Sequence, residues 1–307
     1  MDIVRSLVYD QHDIASVAGD TTGVKSIRKG TPLSATELRQ AFGPNVVGTN
    51  AYFGINSYNL DLGGFDNNTA PTIQGWIDLV NPGEEFTIML GIEPNDADPG
   101  MVGANCFNYV LDNLQIIDAL AARLRKILDS VNDAGKVMRC VVRYASEMNK
   151  APGNHWSGLP DLYQQTYPKV CGALKAVCPE LLFAFSPGIN YGDVSDIPNY
   201  FPESGPVDLA GCTWYSVGSD ANFAAAEANL KTYFDQFATD ARQPCIDELG
   251  GSFAKDPTGN NEPQIEAMRN YVLGIDSTLS IQHVTYFCAS VWGAGATLSF
   301  LNPTPDA

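Results

Sequence analysis

Long apolar runs, basic side chains and histidines are all scarce in this chain. Nowhere in its 307 residues do about eighteen apolar residues follow one another, which excludes a membrane-spanning helix. Lys and Arg number 18 against 35 Asp and Glu, for a formal charge of −17. A nucleic-acid backbone needs a basic surface, so nucleic acid is excluded as a partner. The three histidines, His12, His155 and His283, are scattered; they supply neither a zinc ligand set nor a Ser-His-Asp triad. The seven cysteines form no CxxC. Cys140, Cys212, Cys245 and Cys288 fall in strand-like runs, where cysteine behaves as a small buried hydrophobe. Cys171 and Cys178 stand about 10 Å of helix rise apart, too far for a disulfide. Neither GxGxxG nor GxxxxGK(S/T) occurs between a strand and a helix, so a nucleotide-binding sheet is not indicated. The first residues, MDIVRSLVYDQHDI, carry no basic and apolar leader. Two expectations follow: a secreted protein whose leader is absent from this chain, or a cytoplasmic one.

What is present is an alternation of strand-like and helix-like stretches from end to end. Strands are expected at 3–9, 45–53, 86–92, 136–147, 181–186, 207–214, 243–250 and 283–291. The firmest helix carries Ile117, Leu120, Leu124, Ile127, Leu128 and Val131 at three/four spacing, with Gly135 as its stop. A second runs over 162–177 with Tyr163, Tyr167, Val170, Cys171 and Leu174 on one face. Weaker helices are expected after Ser34, over 72–80, around 194–200, along the Phe223 to Phe237 stripe and around Ile265 to Val272. Eight strands with intervening helices and no break in composition predict one domain over 1–307, a closed parallel (β/α)8 TIM barrel.

Active sites of such barrels lie at the carboxyl ends of the strands. Glu147 and Glu248 end the fourth and seventh strands, and a carboxylate at the mouth of an apolar core is costly without partners or a task. Two of them facing one bowl are the equipment for cleaving a glycosidic bond. Strict alternation along the fourth strand puts Arg143 and Val141 on the side of Glu147, with Cys140 towards the helices. On the seventh it groups Ile246 with Glu248 and turns Asp247 outward, into a structural or capping role.

These residues resemble the clan A glycoside hydrolases, and most closely the mannanase-type family 26. Arg143-Tyr144-Ala145-Ser146-Glu147-Met148-Asn149, then Val207-Asp208 with Gly211 and Tyr215, then Pro244-Cys245-Ile246-Asp247-Glu248-Leu249-Gly250, and finally Trp292, match that family's strand-end pattern. The resemblance implies that Glu147 is the general acid/base and Glu248 the nucleophile of a retaining, endo-acting hydrolase of a β-linked polysaccharide (β-mannan-like, β-xylan or β-glucan). The enzyme would act as a monomer without cofactor or metal. Arg143, Tyr215, Trp292, Trp156, Asn149 and Glu93 are the expected substrate-binding or supporting residues, the tryptophans by stacking on sugar rings. Two departures stand out: Ser146 replaces the family's His, and Thr213 its frequent Asp. They keep a second expectation open, a carbohydrate-binding barrel that has lost turnover.

Overall fold

The computed structural model describes residues 7–10, 35–36, 46–57, 59–94, 102–150, 156–189, 194–217, 220–252 and 284–287; for 7–10, 46–47, 215–217, 220–224, 226, 248–252 and 284–287 it describes the backbone alone. The architecture is α/β, a curled parallel sheet flanked by helices. Its six principal strands are β2 (Val46–Gly54), β3 (Glu85–Glu93), β4 (Val137–Tyr144), β5 (Leu182–Phe185), β6 (Leu209–Val217) and β7 (Gln243–Ser252), each hydrogen-bonded to the next. Two four-residue strands, β1 (Leu7–Asp10) and β8 (Val284–Phe287), pair with β2 and β7 respectively and with each other.

Sequence pattern explains why the sheet is parallel and covered on both faces. In β3 every residue from Phe86 to Glu93 is buried, the continuous run expected of a strand packed on two sides. Alternation then sorts the side chains. Phe86, Ile88, Leu90 and Ile92 join the large core between sheet and helices, whereas Met89 packs with Val141, Ala184, Leu209 and Cys245 in a small second cluster inside the curl. Each of those five comes from a different strand, so the interior is filled by one side chain per strand at that level.

The helices close the outer layer. They are α1 (Ala70–Leu79, continuing a π turn at Phe65–Thr69), α2 (Ala104–Asp112), α3 (Gln115–Asp133), α4 (Pro160–Val177), α5 (Ile197–Tyr200) and α6 (Asp220–Phe237). In α3 the stripe of Ile117, Leu120, Leu124, Leu128 and Val131 is buried, each large side chain contributing roughly 1.5–3 kcal/mol. Its end is a Schellman motif. Gly135 takes φ +68°, Lys136 N–H donates to Val131 O at 3.1 Å, and Gly135 N–H to Asn132 O at 2.9 Å. The sequence does not signal α2, a short helix whose buried side chains are Cys106, Phe107 and Val110. The stretch at 194–200 is indeed poorly formed, a 3-10 turn running into four helical residues. The helix expected around Ile265 to Val272 lies outside the described residues. Six cysteines are buried free thiols. Among the described residues no helix is long and apolar enough to cross a membrane, and no cluster of His, Cys, Asp and Glu suits a metal ion.

Candidate active site

The carboxyl end of β4 is bent sharply. Ala145 and Glu147 have φ of +47° and +57°, left-handed values that cost side-chain-bearing residues about 1–3 kcal/mol each and persist only where surroundings impose them. The neighbouring strand ends do so: Ala145 N–H donates to Ile92 O near the end of β3 at 2.9 Å, and Glu147 N–H to Ser186 O just beyond β5 at 2.8 Å. The strand therefore stops at Tyr144, and the glutamate belongs to a turn rather than to the strand itself.

That turn is clamped from several directions. Lys150 N–H closes it on Glu147 O at 3.0 Å, and Gly158 N–H donates to Met148 O at 2.9 Å. Asn149 uses both ends of its amide on one glycine: Nδ2 donates to Gly188 O and Oδ1 accepts from Gly188 N–H, each at 2.7 Å. Trp156 lies half-buried against the core, its indole N–H donating to Ser146 O at 2.9 Å. Asn149 and Trp156 thus hold the backbone on either side of Glu147.

Thr213 and Lys150 reach the Glu147 carboxylate. Thr213 Oγ1 donates to Oε1 at 2.7 Å, and the Lys150 ammonium forms an ion pair with Oε2. Thr213 is itself fixed, since its N–H donates to Pro187 O and its carbonyl accepts from Ile189 N–H, both at 2.9 Å. The substituted position 213 is therefore a direct partner of the acid. Glu93, at the end of β3, is buried, and its carbonyl accepts from Ile55 N–H at 2.7 Å.

Below this turn lies a buried ion pair, and here one expectation is corrected. Asp247 does not turn outward. It is fully buried inside the curl, accepting from Cys245 Sγ at 2.9 Å and facing Arg143 Nε at 3.7 Å. Arg143 Nε also donates to Ser186 Oγ at 3.2 Å. Ile246, which strict alternation grouped with Glu248, belongs to the helix-facing core. Alternation runs from the inward Cys245 through Ile246 to Asp247, and parity read back from Glu248 fails because Cys212 pairs with Ile246 but Thr213 pairs with Glu248, a register shift of one residue. Gly211 makes room for Asp247, because a Cβ there would meet its Oδ2 at 2.2 Å.

Of the other expected residues, Glu248 and Tyr215 are placed by backbone in β7 and β6, and their side chains lie outside the described residues. Trp292 lies wholly outside them. Asp208 caps the start of β5, accepting from Phe183 N–H at 2.9 Å and lying 3.4 Å from Lys175 Nζ. Sequence reasoning missed Lys150, Ser186 and the true place of Asp247. The only legible hint was an acid directly before Glu248.

No protein-family model matches the chain, and no curated protein sequence matches it. Solved structures do. A modular endo-β-1,4-mannanase from Cellulomonas fimi superposes with a TM-score of 0.64 at 14% identity, over 97% of this chain and 70% of that one. The fold is that of the family 26 mannanases. A second example, a family 26 β-mannanase from Bacteroides ovatus, superposes with a TM-score of 0.61 at 13% identity, over 92% of this chain and 80% of its own. At such identity the family 26 likeness is one of backbone.

Proposed function

We propose that the protein is a retaining, endo-acting glycoside hydrolase of a β-linked polysaccharide, β-mannan first and β-xylan or β-glucan next. Its 307 residues would form one complete (β/α)8 barrel, monomeric and without cofactor. The observation that carries this reading is Thr213, whose hydroxyl meets one acid and whose backbone pairs with the other. Glu147 Oε1 accepts from the Thr213 hydroxyl at 2.7 Å, and Glu248 is the β7 residue in register with Thr213, about 4.8 Å away across the sheet. Retention requires carboxyl groups about 5–5.5 Å apart, and two acids carried on either side of Thr213 suit that requirement.

In the proposed cycle, Glu147 donates its proton to the glycosidic oxygen as Glu248 attacks the anomeric carbon, giving a glycosyl ester. Glu147 then takes a proton from water as that water opens the ester, restoring both acids. The strained turn holds Glu147 towards the opening, and the Arg143–Asp247 pair anchors the two strands on which the acids depend. One contact favours the second reading, a carbohydrate-binding barrel without turnover: the Lys150 ammonium sits on Glu147 Oε2, an oxygen from which a general acid would deliver its proton.

Reducing-end release from β-mannan, xylan and β-glucan tests the proposal. Glu147→Ala and Glu248→Ala should each lower it by at least about 10²-fold; release persisting in both variants would remove the assignment. NMR of the first product should show the retained anomer, and the inverted one contradicts the mechanism.

A further inference from the structure

Lys150 is built into the site rather than draped over it. The turn that carries it is closed by its own N–H on Glu147 O at 3.0 Å and locked next door by the paired Asn149–Gly188 bonds at 2.7 Å. With the backbone held there, the side chain lies back along the glutamate three residues before it, its ammonium on Oε2. The other oxygen is occupied by Thr213. In this arrangement each carboxylate oxygen of Glu147 already carries a partner, and on Oε2 that partner is a cation.

Lys150 nevertheless differs from a permanent counter-ion such as Arg143. Its side chain is 25% exposed, against 1% for Arg143, and a lysine stem swings where a buried guanidinium cannot. A second anion arriving beside the scissile bond can therefore draw the ammonium away. A carboxylate on the sugar ring exchanges like for like, leaving the charge balance at Lys150 unchanged while Oε2 becomes free to take a proton from solvent.

We infer that Lys150 is a specificity-determining residue that reads a uronic acid beside the bond to be cut. It leaves Glu147 for the sugar carboxylate and so makes the acid more competent on an anionic β-linked glycan than on a neutral one. The inference rests on the hydrolase reading above and narrows its substrate class. The overall charge of −17 opposes a polyanion only at long range, since that field decays over about 8 Å at physiological salt; the contact cation acts within it. The chemistry balances. The proton taken up by Glu147 passes to the leaving glycosidic oxygen as the C1–O bond breaks and the bond from C1 to Glu248 forms, and water later returns one proton to Glu147.

The test compares β-mannan and mixed-linkage β-glucan, each before and after oxidation of its C6 hydroxymethyl groups to carboxylates. The native protein should show roughly fivefold higher kcat/KM on an oxidised polymer than on its parent, the scale of one partly exposed ion pair. Lys150→Met should erase that preference and Lys150→Arg should keep it. Absence of a preference in the native protein, or its survival in Lys150→Met, overturns the inference. If the native protein cleaves none of the four polymers, the hydrolase reading fails, and affinity-gel retardation decides the charge reading separately. Stronger retardation by oxidised polymers that Lys150→Met abolishes supports it, and equal retardation of the two proteins refutes it.

Discussion

A few side chains decide how Glu147 is presented, and Thr213 is the most informative of them. Its hydroxyl meets Glu147 Oε1 while its backbone is tied to Pro187 and Ile189. Thr213→Val keeps the shape and removes the donor. A hydrogen bond to a charged group contributes about 1.5–3 kcal/mol, so kcat on the cleaved glycan should fall by roughly tenfold with the thermal midpoint little changed; an unaltered kcat would show that Thr213 does not orient the acid. The Arg143–Asp247 pair is a different case, with relative exposures of 1% and 0%. Removing one partner of such a pair leaves a buried charge uncompensated. Asp247→Asn should therefore destabilise the protein by about 3–5 kcal/mol in urea denaturation, and the apolar double variant Arg143→Met/Asp247→Leu should recover most of that loss. If the double variant is no more stable than the single one, the pair is not an isolated electrostatic unit.

Among the elements, β6 and β7 show most plainly how local geometry serves the site. An extra residue in β7, beside the inward-facing Asp247, brings Glu248 into register with Thr213, the device by which a bulge resets the strand beyond it. The bulge depends on an empty position opposite, which Gly211 supplies. Gly211→Ala should push Asp247 from Arg143 and lower stability by at least about 2 kcal/mol in urea, with loss of hydrolysis; native-like stability would mean that the strands part without affecting the pair. The four-residue α5 and the short α2 matter less for chemistry. The long α3 and α4 brace β4 from behind, burying Leu120 and Leu124 on one side and Tyr163 and Tyr167 on the other.

Taken as a whole, the molecule stores many ionisable groups in dry surroundings, and its alkaline stability reflects this. Burial pushes the Cys140 thiol from 9.0 up to about 12 and raises Cys171, Cys212 and Cys245 in the same sense. The buried hydroxyls of Tyr163, Tyr167 and Tyr233 rise for the same reason. Below about pH 9 these groups are protonated folded and unfolded alike, and they favour neither state. Above it the unfolded chain loses protons that the folded chain keeps, so stability should fall steadily towards pH 12, by about 1.4 kcal/mol per pH unit for each group involved. Urea midpoints between pH 8 and 11 check this, and a flat profile contradicts it. Thiol reagents at pH 8 should leave the six described cysteines unlabelled until the chain is denatured.

The amino-acid order alone determined the succession of parallel strands from β2 to β7 and the faces of α3 and α4, because continuous apolar runs and three/four spacing report burial directly. It also marked Glu147, since an acid ending an apolar run is visible without coordinates. Only the tertiary structure decided which atoms meet that acid. Thr213 and Ser186 reach it or its supports from other strands, and Lys150 reaches it through a turn whose left-handed backbone is imposed by neighbouring strand ends. The orientation of Asp247 was likewise out of reach. A period of two read back from Glu248 sends it outward, and the extra residue that breaks this parity exists only in the pairing of β7 with β6.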